Sequence, residues 1–459
     1  MRETILNILK KKELAGWIVT EENLASTELF FVKNKLDQNR LCETTETTVE
    51  VFVDFEEAGE NGVERYKGKG EALLSAGDSA EEIEARIDNA IVSARFVKNK
   101  WYPMATNDAQ AKVPSDASAQ PDAGTAAFET ALHAGADAKS AAFDTASSSN
   151  TETLKTQYDA LYEALFADYG MSSQVNSVEL FAVDGTRHVL TSTGTEVTYP
   201  VHRFVFELVT DAEGATESVE IFNDYTFGLL DVEQVRDVVK TQLADTEARA
   251  AAVKAPKLEN INVILRGSAV EDLLSLYVVQ ASDEAVYNGF SRAKIGERFT
   301  GENALQSLNI RMDPGLPHAV GKAPIDEDGV LLHPYDLYRD SVVQNFRTSQ
   351  QFSSYMNREN IGSPIPFVVE GSDTPYEDFL DEDYLEIYVF SSFVSSPIEG
   401  DFGGEYRLAK LVQNGKTTYI TGGSLSENLF EAQDRMVFSK ECEKRENSLA
   451  PKAILIRKK

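Results

Sequence analysis

Residues able to do chemistry are sparse in this chain, and where they cluster they lack the neighbours the chemistry needs. Asp401-Phe402-Gly403 spells a kinase metal-binding loop. Phosphoryl transfer also needs a glycine loop over the phosphates, a strand lysine and an upstream catalytic loop. The chain has no HRD and no GxGxxG, because GKGEAL stops after two glycines. The tripeptide therefore reads as a turn, with Asp401 turning the backbone and Gly403-Gly404 opening a strand. Gly415-Lys416-Thr417 ends like a phosphate loop, but Lys410 stands where its first glycine belongs. Ser424 in GGSLSEN fails as a nucleophile elbow, because Ser426 occupies the second glycine position. IDEDGV resembles a calcium loop, yet Pro324 holds the first ligand position, so Asp328-Gly329 reads as a turn. The acidic run YEDFLDEDYLE reads as a solvated helix end.

The histidines are His133, His188, His202, His318 and His333. None precedes a glutamate, so HExxH zinc binding is absent. His188 and His202 fall in strand patterns, and His318 and His333 lie in proline-bearing loops. The two cysteines, Cys42 and Cys442, are too few for a disulfide framework or a thiolate zinc knuckle.

Composition narrows the class. With 459 residues the chain is long enough for two or three cores, and 42% apolar content is globular rather than disordered. A net charge of −31 repels phosphate backbones, so no nucleic-acid partner is expected. MRETILNILKKKEL reads as an amphipathic helix rather than a signal peptide, and no apolar run spans a bilayer. A cytoplasmic protein with no membrane association is the expectation.

The elements that would position any site alternate along residues 1–100. Ile5, Leu6, Leu9 and Leu14 suggest a first helix, and ELFFVKNKLDQNR, TTVEVFVDFEE and RYKGKGEALLS read as strands. Ser79 with Glu82 forms a capping box before a helix that faces Ile83, Ile87, Ala90, Ile91 and Ala94 inward. Residues 104–150 are rich in Ala, Asp and Ser and read as a low-complexity excursion, with some helix around 126–142. A helix is expected over 151–169, strands over 176–227 with a turn at Asp184-Gly185, and a helix over 231–251. The strand NVILRG then leads into one apolar helix from Ala269 to about Asn288, and Asn414-Gly415 marks a late hairpin. The fold class is α/β (α+β). An N-terminal α/β domain (1–103), the excursion (104–150) and a middle α+β region (151–255) precede a β-rich C-terminal domain with hairpins (256–459).

Four segments together resemble the TldD/PmbA family, also called the modulator of DNA gyrase or peptide-maturation family. They are ELFFVKNKLDQNRLCETTETTVEVFVDFEEAGENGVERYKGKG, RGSAVEDLLSLYVVQASDEAVYNGFSRAKIGERFTGE, PIDEDGVLLHPYDLYRDSVVQNFRTSQQFSSYM and SPIEGDFGGEYRLAKLVQNGKTTYITGGSLSENLFEAQDRM. The resemblance implies that TldD-like chains carry HExxxH on the helix matching residues 269–290. Counting back from GERFTG, those positions fall at Gln280, Ala281 and Ala285. None can hold zinc, and no histidine lies between His202 and His318 to restore the site. A zinc-binding cysteine near the C-terminus is also implied for TldD-like chains, but Cys442 lacks matching neighbours.

The chain thus looks like a PmbA/TldE-type subunit with no catalytic or metal residue of its own. The resemblance implies a TldD-like metalloprotease partner holding zinc, a peptide substrate and a homo- or heterodimer. Peptide contacts are expected at Glu284 and at glycine-bearing edges, Gly403-Gly404 and Gly422-Gly423. Two other readings stand beside it. One is a stand-alone peptide- or ligand-binding homodimer without protease activity. The other is a metal-independent hydrolase using Asp283 and Glu284.

Overall fold

The longest strand among the described residues, Lys35–Gly59, sets the architecture. In the computed structural model, residues 1–59, 62–107, 149–214 and 217–459 are described. There β1 (Gly16–Val32) and β2 (Lys35–Gly59) pair antiparallel from Gly16↔Phe52 to Val32↔Lys35. Lys33 takes a left-handed turn between them, at φ 55°. ELFFVKNKLDQNR, expected as one strand, is therefore a hairpin tip, because polar Lys33-Asn34 interrupts its apolar run. β3 (Gly62–Ser75) pairs only with the second half of β2, starting at Glu46↔Ser75. β4 (Asn99–Lys100), β5 (Gln174–Thr191), β6 (Glu196–Glu213) and β7 (Ser218–Phe227) complete a sheet ordered β4-β3-β2-β1-β5-β6-β7. The helix expected around 126–142 lies outside the described residues.

Helices cover one face of this sheet. α1 (Arg2–Leu9) and α2 (Ala80–Ala94) bury Ile5, Leu9, Ile83 and Ile87 against Val19, Val49, Val51 and Leu74. The capping box of Ser79 and Glu82 is formed in both directions. Gly70 permits the close approach, since a Cβ there would lie 2.0 Å from the Ala90 carbonyl oxygen. α3 (Asn150–Thr156) and α4 (Tyr158–Phe166) replace the single helix expected over 151–169, with the break at Gln157 (φ −116°). α5 (Val232–Ala250), capped by Asp231, packs Val235, Val239 and Leu243 with Phe204, Phe206 and Leu208.

The Asp184-Gly185 turn is not formed, because β5 runs straight through it. Gly185 is there for proximity: a Cβ would lie 2.1 Å from the Asn23 carbonyl oxygen. Asp184 accepts the N–H groups of Asn150 and Thr151, each at 2.8 Å, and so starts α3. Burial would raise its pKa, but His202 and those two N–H groups outweigh it and hold it at about 2.

The remaining strands form two further sheets around a shared core. β8 (Val253–Lys254) and β9 (Asn262–Arg266) precede α6 (Ser268–Gln280) and α7 (Asp283–Tyr287). β10 (Ile310–Met312), β11 (Tyr335–Arg339) and β12 (Val342–Val343) lead to α8 (Gln350–Tyr355) and β13 (Phe367–Val369). Next come β14 (Tyr384–Phe390), β15 (Val394–Ser395), β16 (Asp401–Gln413), β17 (Lys416–Thr421), β18 (Gly423–Asn428) and the short helix α9 (Leu429–Ala432). β19 (Met436–Phe438), β20 (Cys442–Lys444), β21 (Ser448–Pro451) and β22 (Ala453–Ile456) close the chain. One sheet is ordered β12-β11-β10-β13-β21-β20; the other runs β19-β22-β9-β14-β16-β17-β8, with β15 and β18 also pairing β16. The expected β-rich C-terminal region and its Asn414-Gly415 hairpin are present, both turn residues lying at positive φ. α6 is buried between the sheets through Val270, Leu273, Leu274 and Tyr277. No helix among the described residues is long and apolar enough to cross a membrane.

Gly185→Val should cost roughly 2–4 kcal/mol in urea unfolding, because the strand pair must separate to admit the side chain. Gly77→Ala, whose added methyl group would meet nothing within 4 Å, should be near neutral. Equal effects would contradict the close-packing account.

Candidate functional site

The positions implied for zinc ligation lie where α6 ends. The expected continuous helix from Ala269 to about Asn288 breaks instead at Ala281, whose ψ of 44° is non-helical. Ser282 then caps α7 through a hydrogen bond from the Ala285 N–H at 3.2 Å. Gln280 and Ala281 thus close one helix while Ala285 sits in the next, so the three do not share a helix face.

Gln280 is 1% exposed and its amide is fully engaged. Nε2 donates to the carbonyl oxygens of Phe290 (3.0 Å) and Pro397 (2.5 Å), and Oε1 accepts the Arg292 N–H at 2.9 Å. Its backbone oxygen accepts from the Ser291 hydroxyl. Ala281 is buried, and its carbonyl accepts the Arg347 N–H at 2.8 Å. Ala285 is buried, and its carbonyl accepts from Phe290 and Ser291. Two methyl groups and a committed amide do not fit a zinc ion.

Beside this corner lies an acidic cluster missed in the sequence as a unit. Asp283 accepts the Ser349 N–H at 2.9 Å and Asp328 accepts the Gln350 N–H at 2.7 Å, so both cap the start of α8. Asp326 accepts the N–H groups of Asp328, Val330 and Ser363 at 2.9–3.1 Å. It closes the expected turn, with Gly329 at φ 82° and Ile325 bridged to Leu331. Burial, then the neighbouring Asp328 charge, pushes Asp326 up to about 7. Burial likewise raises Asp283 to about 6, against the hydrogen bond from Ser349. Among the described residues, no group of three or more His, Cys, Asp or Glu side chains is placed to hold a metal. Glu284 is exposed in the first turn of α7.

The glycines divide. Gly403 and Gly404 are not at an edge, as expected from the sequence, but inside β16. Gly403 pairs with both Val394 and Ser426, and Gly404 pairs with Leu425. Side chains would strike the Leu425 oxygen at 2.1 Å and the Ser392 oxygen at 2.0 Å, so both are packing glycines. Gly422 (φ 74°) has open space around it. Gly423 opens β18, which among the described residues pairs only with β16. Asp401 opens β16 and accepts from the Asn428 amide at 2.7 Å, while Gly400 (φ 82°) makes the turn before it. His318 donates through Nε2–H to the Ser448 carbonyl, 3.0 Å away, beside a cleft of about 410 Å³ between α5 and β20. Burial, and then Lys444, lowers its pKa against the Ser448 contact. Burial pushes the Cys442 thiol up, away from thiolate character.

Gln280→Leu should cost roughly 2–4 kcal/mol, since each buried group left unpaired costs about 1–3 kcal/mol. Amide exchange should accelerate at residues 290–292; an unchanged exchange rate would show the clamp to be idle. A second expectation concerns pH. Asp326 and Asp283 hold protons in the folded state above the unfolded value of 3.8. Their contribution is therefore fully present at acid pH and is lost as pH rises through about 6 to 7. Asp283→Asn, which keeps an oxygen acceptor for Ser349, should flatten the stability curve between about pH 4 and 6. An identical slope in the variant would count against this.

A family model described as the PmbA/TldA metallopeptidase C-terminal domain matches residues 259–458. Comparison with curated proteins gave no match. TldE from Thermococcus kodakarensis is similar over 100% of this chain and 98% of its own, at 16% identity and a TM-score of 0.70. A Bacteroides thetaiotaomicron chain labelled a modulator of DNA gyrase aligns over 99% and 96%, at 14% identity and a TM-score of 0.72. A Thermotoga maritima chain labelled a modulator of a DNA gyrase aligns over 99% and 98%, at 13% identity and a TM-score of 0.69. At these identities the solved structures establish the shared fold. Residues 259–458 thus carry the likeness to the PmbA/TldA metallopeptidase C-terminal domain, and the whole chain shares its fold with these three solved structures.

Proposed function

We propose that this chain is the non-catalytic, TldE-like subunit of a two-chain metalloprotease that processes or degrades peptides. One observation carries the reading: the helix end implied for zinc ligation holds Gln280, whose amide is spent on three backbone groups. The zinc and the water-activating base would then belong to a TldD-like partner. This chain's part would be to hold substrate.

The free edge of β18 suits that part. An extended peptide can add to an unpaired edge through main-chain hydrogen bonds, which read no side chain and so tolerate varied sequences. Gly423, Ser424 and Ser426 offer little steric obstruction along it. The metal-independent hydrolase reading is weaker, because Asp283 is engaged in capping α8 and Glu284 points to solvent. A stand-alone peptide binder remains the second reading, since the β18 edge needs no partner to be open.

Reconstitution separates the two. Peptide cleavage by a TldD-like chain should rise at least about tenfold when this chain is added, and this chain alone should cleave nothing. Ser426→Pro, which removes a strand N–H, should weaken peptide binding without unfolding the protein. Peptide binding by this chain together with an unresponsive TldD-like chain would favour the stand-alone reading.

A further inference from the structure

The cleft of about 410 Å³ beside His318 is walled by both halves of the chain. The first half contributes Phe227 and Leu229, where β7 turns into α5, and Asp231, the cap of α5. The second contributes Pro317 and His318, from the loop after β10, and Lys444, from β20. Small-molecule pockets run to roughly 300–1,000 Å³, so this one suits a single small molecule rather than a length of peptide.

The walls are tied in place. The Asn150 amide donates to the Gly228 carbonyl at 3.1 Å and accepts the Leu230 N–H at 2.7 Å. The Gly228 N–H donates to the His318 carbonyl at 3.2 Å, and a Cβ at Gly228 would lie 2.6 Å from that oxygen, so the halves meet here backbone to backbone. Arg445 donates to the carbonyls of Gly267, Ala450, Pro451 and Lys452 at 2.9–3.3 Å and so holds the second wall. Other polar groups on the walls are not spent. Lys444 is exposed and has no hydrogen bond or ion pair among the described residues. Asp231 uses Oδ1 on the Glu233 and Gln234 N–H groups, which leaves Oδ2. His318 gives its Nε2–H to Ser448, and burial, then Lys444, favours the neutral ring, so Nδ1 is a bare acceptor.

We propose that this cleft binds a free apolar α-amino acid as its zwitterion. Lys444 pairs with the carboxylate, Asp231 and Nδ1 of His318 accept from the ammonium group, and Phe227, Leu229 and Pro317 receive the side chain. A simple carboxylic acid would leave Asp231 and Nδ1 unanswered, and a simple amine would leave Lys444 unanswered. A phosphate ester is disfavoured, because Asp231 lines the cleft and Arg445 is already committed to backbone carbonyls. An amino acid seated here touches both halves, so its binding stabilises their junction. The inference rests on the cleft alone and goes beyond the peptide-processing reading; either can fail without the other.

The test is calorimetric titration of the full chain with L-leucine and L-phenylalanine, carried to about 10 mM. Both should saturate. N-acetyl-L-phenylalanine and L-phenylalanine amide each lack one of the two charges and should bind at least about tenfold more weakly. Asp231→Asn keeps an oxygen to cap α5 and should shrink the penalty for the acetyl analogue. Lys444→Gln, at an exposed position, should shrink the penalty for the amide. Inorganic phosphate should not compete. No saturation by either amino acid, analogues bound as tightly as the amino acids, penalties unchanged in both variants, or displacement by inorganic phosphate would each overturn the proposal.

Discussion

One buried amide decides what the centre of the C-terminal region can be. Gln280 ends α6 and at once satisfies Phe290, Arg292 and Pro397, tying together two loops distant in sequence. The contacts that follow are of the same kind. Arg347 exchanges backbone hydrogen bonds with Ala281 and Asp283, and Asp283 and Asp328 then take the first free N–H groups of α8. Buried polar groups must be paired, and here the pairing is internal throughout. At this corner the donors and acceptors are spent on one another.

The same economy joins the two halves of the chain. The segment 99–107 leaves the first sheet and is stitched to the corner. Tyr355 donates to the Lys100 carbonyl, Gln350 to the Pro103 carbonyl, and Asn107 bridges Gly329 and Leu331. At its other end Asp54 takes Lys67, Arg65 and Trp101 together, so the segment is anchored before it crosses. The raised pKa values of Asp326 and Asp283 therefore report on the junction between the halves.

The sequence was legible where a local rule suffices. The Ser79–Glu82 box, the α2 and α5 faces and the Asn414-Gly415 turn are each set by residues within a few positions of one another. It misled where a distant contact overrides the local rule. Asp184-Gly185 is a turn dipeptide by type, yet Gly185 serves an approach to Asn23 and Asp184 a helix that begins at Asn150. The break at Ala281 has no glycine or proline to announce it; Arg347 holds it from a distance and the adjacent Ser282 caps the next helix. Gly403-Gly404 looked like an edge because glycine signals close approach, and the sequence does not say from which side. The capping acids were visible one by one, but their convergence on α8 depends on tertiary contacts.

The most direct measurement is the metal content of the purified, untagged chain by mass spectrometry. The account predicts no stoichiometric zinc, in wild type and in Gln280→His alike, because Ala281 and Ala285 offer no further ligand. One zinc per wild-type chain would contradict it and would move the search for ligands to His318, His333 and Cys442.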